Sequence, residues 1–174
     1  KDDVRGLWLR SFSRSKARSF DGTQGASYPF WSPDGRTIGF FANGKLKRVA
    51  ATGGLPNVIC AAAVGQGGTW NRDDVIVFSP NWRQPLMRVS ASGGTPVSVL
   101  TLDTARNEFR QRHPCFLPDG KHFLYSSRQG VAGGNAVMIG SLDSEPPRRL
   151  MEASSNAVFA QPGYVLYWHE DALR

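Results

Sequence analysis

One pattern of apolar and polar residues occurs four times along this chain. Each occurrence has an aromatic residue, a short polar turn and then an apolar run of strand length. The four occurrences are Phe30–Phe41, Trp70–Phe78, Cys115–Tyr125 and Phe159–Tyr167. Their aromatic residues fall at positions 31, 70, 116 and 159, so one repeat takes about 40 residues. Repeats of this length, with several short strands in each, are typical of the blades of a β-propeller.

Each repeat contains two more predicted strands. The third strand is predicted at Leu46–Val49, Leu86–Val89 and Val137–Gly140, and the fourth at Pro56–Cys60, Pro96–Leu100 and Arg148–Met151. Glycine pairs at 53–54 and 93–94 separate third from fourth strands, because glycine permits the positive φ of a hairpin turn. Four antiparallel strands thus form one predicted blade, and the fold class is all-β.

We expect residues 1–174 to form a single β-propeller region with about four blades. Its predicted parts are a half blade at 6–20, blades at about 27–60, 66–100 and 112–151, and a half blade at 156–169. Two arrangements stay open. Either the halves pair and close a four-bladed ring, or the chain, which opens with Lys1, is a fragment of a larger propeller. Open sheet edges would favour self-association.

The net charge of the chain narrows its possible partners. The formal net charge is +7, with basic residues scattered and never in runs of five or more. This excess favours acidic partners, whether a protein, a peptide, a polyanion or an anionic lipid.

Cys60 and Cys115 are predicted to be buried thiols on different strand types, which argues against a disulfide. No apolar run approaches the about 20 residues of a membrane span.

The chain lacks the motifs of the enzymes that such a fold accompanies. It has no Gly-x-Ser-x-Gly nucleophile elbow, and no glycine-rich loop, His-Arg-Asp or Asp-Phe-Gly motif of a kinase. His113, His122 and His169 are far apart, and no metal-ligand spacing joins them. We therefore expect no catalytic residue, no metal and no cofactor in this segment.

Geometry predicts where a ligand would bind. In a propeller, the connection after the second strand and the connection into the next blade emerge on the same face, here called the loop-rich face. Its longest predicted loops are Ser79–Gln84, Thr101–Arg112 and Ser126–Asn135. Tryptophan and arginine are enriched at binding hot spots. The candidate binding residues on this face are Trp82, Arg83, Arg106, Arg110, Arg112 and Arg128.

The turn motif also carries a family resemblance. Trp31–Gly35, with its echo at Phe116–Gly120, resembles the repeat of TolB-like propellers, relatives of the tryptophan-aspartate repeat family. The longer sequence around this motif, which includes Ser27–Phe30 and Ala51–Gly54, is similar to the propeller that follows the kinase domain in certain bacterial serine/threonine protein kinases. The resemblance implies a non-catalytic sensor in a larger bacterial signalling protein, outside the cytoplasm, and a complete propeller of roughly six or more blades.

Two other functions stay open. Similar propellers accompany hydrolase domains in some peptidases and gate substrate entry there. A polyanion or nucleic-acid binder is the third possibility, and its affinity would depend steeply on salt. It is disfavoured because Trp8, Trp31 and Trp70 lie in predicted strands, where we expect them to pack in the core rather than to stack on bases.

Overall fold

The structure, a computed structural model, describes residues 5–13, 15–130, 134–153, 155–169 and 172–174. In these residues seventeen strands form five antiparallel sheets, and Thr104–Arg106 forms a short 3-10 helix. The first sheet contains β1 (Trp8–Leu9) and β2 (Arg18–Ser19). The second contains β3 (Ser27–Trp31), β4 (Thr37–Ala42), β5 (Lys45–Ala50) and β6 (Asn57–Ala61). The third contains β7 (Gly68–Trp70), β8 (Val75–Phe78), β9 (Met87–Ser90) and β10 (Val97–Ser98). The fourth contains β11 (Glu108–Phe116), β12 (His122–Gln129), β13 (Asn135–Ser141) and β14 (Arg148–Glu152). The last contains β15 (Ala157–Ala160), β16 (Tyr164–His169) and β17 (Ala172–Leu173).

The three four-stranded sheets are propeller blades, with strands in chain order from the inner to the outer edge. The innermost strands are neighbours, because β3 contacts β7, β7 contacts β11, and β11 contacts β15. The turns that follow these strands contribute Pro33, Asn71, Pro118 and Gln161 to one cavity of about 270 Å³. The innermost strands therefore surround a common axis, and the predicted all-β propeller with about four blades is confirmed.

The Asp-Gly turns of the blade motif form between the first and second strands. The Asp34 carboxylate accepts a hydrogen bond of 3.0 Å from the backbone N–H of Arg36. Gly35 then adopts a φ of 67°, in the left-handed region that favours glycine. The pair Asp119–Gly120 repeats the arrangement in the fourth sheet, where Gly120 has a φ of 70°. These turns aim each second strand back along the first.

The apolar core lies between the blades. The ring of Phe41, in β4, has its centroid 6.3 Å from that of Phe30 and 6.3 Å from that of Phe78. A methyl group at Gly65 would overlap the Phe41 ring, so glycine leaves the space that this ring fills. Because Phe78 belongs to β8, this cluster joins the second sheet to the third. Three further clusters join the first sheet to the second, the third to the fourth and the fourth to the last.

The last sheet differs from the expectation that the chain ends after a second strand. β17 pairs with the outer edge of β16 through Leu173 and Trp168. It therefore occupies the edge to which β1 would bind if the two end sheets closed a ring. Within the described residues, no strand of the first sheet pairs with the last.

The tryptophan expectation holds for one residue only. Trp70 is 7% exposed, but Trp31 is 47% exposed and Trp8 is 68% exposed. Two of these three tryptophans are thus on the surface, and the argument against nucleic-acid binding from core packing applies to Trp70 alone.

Cys60 and Cys115 are free thiols. None of the described segments forms a helix long and apolar enough to cross a membrane.

Candidate functional site

Three arginines share one side of the fourth sheet. The register of β11 and β12 pairs Arg110 with Arg128, Gln111 with Ser127 and Arg112 with Ser126. Side chains alternate between the two sides of a sheet, so the three arginines and Ser126 lie on the same side. Burial, followed by the charges of Arg128 and Arg110, lowers the pKa of Arg112. We call Arg110, Arg112 and Arg128 the arginine cluster.

The opposite side of β11 is fixed by buried polar groups. Gln111 is fully buried, and its Oε1 accepts a hydrogen bond of 3.1 Å from the backbone N–H of Leu86. Its Nε2 donates to the Thr101 carbonyl at 3.1 Å and to the Glu108 carboxylate at 2.9 Å. The Ser127 hydroxyl also donates to Glu108. Because Leu86 and Thr101 flank strands of the third sheet, these bonds hold the arginine-bearing strand against the neighbouring blade.

An apolar cleft lies beside the arginine cluster. The Arg110 guanidinium is 4.8 Å from the centroid of the Trp82 ring and 5.5 Å from that of Phe109, within cation–π distance. Both rings stay largely exposed, at 43% for Trp82 and 45% for Phe109. With Leu102, Arg83 and the buried, hydrogen-bonded Glu108 they line a cleft of about 710 Å³. The cleft places apolar rings next to a positive charge.

A smaller cavity of about 130 Å³ lies between the fourth sheet and the segment that leads from it into the last sheet. We call it the inter-blade pocket, and its lining includes Arg112, Arg128, Ser126 and Asn156. The Ser126 hydroxyl is buried without a hydrogen-bond partner in the part of the chain that the structure describes, and so are the Nε groups of Arg112 and Arg110. Among the described residues, no carboxylate forms an ion pair with the arginine cluster. These positive charges therefore have no compensation that the structure shows.

A repeated bulge brings two further side chains to this region. Tyr28 and His113 lie at bulges of β3 and β11, and Gly67 directly precedes β7 at the equivalent position of the repeat; their φ values are 47°, 52° and 102°. A methyl group at Gly67 would lie 3.0 Å from the Cα of His113, so glycine makes room for the histidine. The rings of Tyr28 and His113 are 5.6 Å apart. Burial, followed by the charges of Arg112 and Arg128, lowers the pKa of His113 to about 4, so this imidazole is neutral at pH 7.

The structure brings most of the predicted site residues together. Trp82 and the three members of the arginine cluster form one continuous region, and Arg83 lines the same cleft as Trp82. Arg106 is separate, because it pairs with Asp103 at 3.5 Å in the 3-10 helix. Sequence reasoning missed Phe109 and Ser126, for which no motif exists. It also missed the roles of Tyr28 and His113, although each precedes a proline at the same place in the repeat.

The arginine cluster lies on strands, which corrects the expectation that loops carry it. The predicted loop Thr101–Arg112 is shorter, because β11 begins at Glu108. His113 also lies within this innermost strand. The predicted loop Ser126–Asn135 begins only after Gln129, the last residue of β12. Residues 131–133 of that loop lie outside the described residues.

The opposite face offers a different environment. One cavity there, of about 480 Å³ between the second and third sheets, is lined by Arg48 and Arg72 but also by Asp34 and Asp74. Positive and negative side chains thus occur together there. The inter-blade pocket differs from this cavity, because none of the described residues that line the pocket is acidic.

Comparison with known proteins places this architecture in a class. No model of a protein family and no curated protein matches the chain. Solved structures of TolB do match. TolB from Acinetobacter baumannii superimposes with a TM-score of 0.76 and 16% identity, over 94% of this chain and 43% of that one. A TolB-type protein from Agrobacterium tumefaciens superimposes with a TM-score of 0.69 and 19% identity, over 87% of this chain and 57% of that one.

Propellers of enzymes match as well. A prolyl endopeptidase, from a study of inter-domain dynamics in catalysis and specificity, has a TM-score of 0.60 and 14% identity, over 94% of this chain and 29% of that one. At these identities the matches establish the fold alone. The chain has the TolB-like β-propeller fold, and it spans about half the length of the TolB structures it matches.

Proposed function

We propose that this chain is a non-catalytic binding module that recognises an acidic segment of a protein or peptide on its loop-rich face. The observation that carries the proposal is the arginine cluster, whose charges meet no carboxylate among the described residues. Isolated charges of one sign are costly to hold together inside a protein. A ligand carboxylate would relieve that cost, and arginine forks well onto carboxylates.

The cleft adds a reason to expect a peptide. Trp82 and Phe109 expose apolar rings beside Arg110, so a segment with alternating apolar and acidic side chains would meet both kinds of group. Exposed tryptophan next to arginine is a frequent composition of binding hot spots. The sequence resemblance of the repeat to kinase-associated propellers supports a signalling role for the protein to which this segment belongs. We infer a bacterial sensor, with the propeller that follows a serine/threonine kinase domain as the arrangement it resembles.

The test uses a short synthetic peptide of alternating glutamate and leucine, with a second peptide in which glutamine replaces every glutamate. Titration calorimetry should show the glutamate peptide binding at least about tenfold more tightly than the glutamine peptide. The difference should shrink as salt is raised, because exposed charges are screened. Equal binding of the two peptides, or binding of neither, would contradict the proposal.

The alternative is a propeller that accompanies a hydrolase and controls access to its active site. In that arrangement the loop-rich face would contact a catalytic domain of the same protein. The discriminating observation is the flanking sequence, since a neighbouring domain with a Gly-x-Ser-x-Gly elbow would favour it.

A further inference from the structure

The inter-blade pocket is separate in shape and chemistry from the Trp82 cleft. It is small and polar, whereas the cleft is large and has apolar rings. Arg112 and Ser126 reach it from neighbouring strands of the fourth sheet, and Asn156 reaches it from the segment before β15. The fourth sheet and the segment that leads from it into the last sheet thus build the pocket together.

Unsatisfied donors converge on this pocket. Ser126 is 8% exposed and lines the pocket, and its hydroxyl has no partner among the residues that the structure describes. The Nε of Arg112 is likewise buried without an acceptor. Buried polar groups in proteins are nearly always hydrogen-bonded, so an orphaned hydroxyl beside an orphaned guanidinium N–H points to an acceptor that occupies the pocket.

The pocket chemistry selects the class of occupant. None of the described residues that line it is acidic, so a cation would find no counter-charge. Arg112 and Arg128 supply positive charge, while His113 is neutral and adds a ring of hydrogen-bonding nitrogens. Since a water molecule occupies about 30 Å³, a cavity of about 130 Å³ has room for about four water molecules, or for one small oxyanion in their place.

We propose that the inter-blade pocket binds a small oxyanion, a carboxylate or a phosphate group, through Arg112, Arg128 and the Ser126 hydroxyl. The group can belong to a free small molecule or to a side chain of the bound segment. This inference rests on the proposed function, because it names the place where one acidic group of the ligand would bind.

The experiment titrates the protein with inorganic phosphate and with acetate, using sodium chloride at matched ionic strength as the reference. Stabilisation is read as the shift of the unfolding temperature. Both oxyanions, or one of them, should stabilise the protein saturably and beyond chloride. Stabilisation no larger than that of chloride would overturn the assignment.

Two variants locate the binding. Ser126→Ala removes a hydroxyl without a partner, so the variant should fold as well as the wild type and bind the oxyanion about tenfold more weakly. Arg112→Gln should weaken binding at least as much, while Arg48→Gln on the opposite face serves as the matched control. Unchanged oxyanion affinity in Ser126→Ala would overturn the role of this pocket.

The two proposals fail in different ways. If the glutamate peptide binds and neither oxyanion does, only the assignment of the inter-blade pocket is lost. If an oxyanion binds in the pocket and the glutamate peptide does not, the pocket stands and recognition of an acidic segment is lost. The added free peptide also separates the two sources, because it competes with phosphate only if one of its carboxylates enters the pocket.

Discussion

Replacing Arg110 and Arg112 together by glutamate is expected to weaken binding of the glutamate–leucine peptide by at least about 100-fold. The two residues lie on the same side of β11, and Arg128 opposes Arg110 on β12. Two reversed charges would turn an attractive surface into one that repels carboxylates. Arg110 also stacks on Trp82 at 4.8 Å, so the change removes part of the cleft as well. Titration calorimetry with the same peptide measures the loss.

The control for this pair has the same change in net charge on the other face. Arg48 and Arg72 line the mixed-charge cavity between the second and third sheets, so their double replacement by glutamate should change peptide affinity by less than about threefold. A glutamine version of the Arg110 and Arg112 pair guards against poor folding of the glutamate version. Equal losses in both pairs would mean that net charge, rather than the arginine cluster, governs binding.

Replacing Phe41 by alanine is expected to lower the free energy of unfolding by about 3–5 kcal/mol. Phe41 is 3% exposed and joins two blades, because it packs between Phe30 and Phe78. Alanine would leave a cavity that rigid sheets on both sides cannot close. The unfolding temperature should fall by about 10 °C for a chain of this size. Urea denaturation followed by circular dichroism measures both the midpoint and its slope.

A residue of the same type provides the control. Phe12 is fully exposed, so Phe12→Ala should change stability by less than about 0.5 kcal/mol. A methyl group at Gly65 would overlap the Phe41 ring, so Gly65→Ala should cost less in the Phe41→Ala background than in the wild type. Similar losses for Phe12→Ala and Phe41→Ala would contradict a core that lies between the blades.

The fold was predictable because its signals are local. The Asp34–Gly35 and Asp119–Gly120 turns have a physical cause within a few residues, and the structure shows it in the capped aspartates and the left-handed glycines. The apolar runs that follow them become the second strands β4 and β12. Because the same local pattern recurs in each repeat, the blades could be predicted without knowledge of their contacts.

The candidate site was predictable only in part. Trp82 and the arginine cluster were found from residue type and from the geometry of propeller connections. Their place on strands was not, because β11 has polar residues on both sides. One side bears Arg110 and Arg112, and the other bears the buried Gln111 with its hydrogen bonds, so the alternation that identifies a half-buried strand is missing.

The inter-blade pocket could not be found from the sequence at all. Ser126 and Asn156 are 30 positions apart along the chain, and only the packing of the segment before β15 against the fourth sheet places both at one cavity. The exposure of Trp31 could not be predicted from the sequence either. Its repeat partner Trp70 is buried, so an equivalent position in the motif does not determine burial when the neighbouring surfaces differ.

Arginine side-chain NMR spectra give the sharpest test of ligand binding by the loop-rich face. The Nε–H groups of Arg110 and Arg112 have no acceptor among the described residues, so the NMR signal of each should shift when the glutamate–leucine peptide supplies a carboxylate. The Nε–H signals of Arg48 and Arg72 should stay in place throughout the titration. Shifts confined to Arg48 and Arg72, with Arg110 and Arg112 unmoved, would show that acidic ligands bind the opposite face instead.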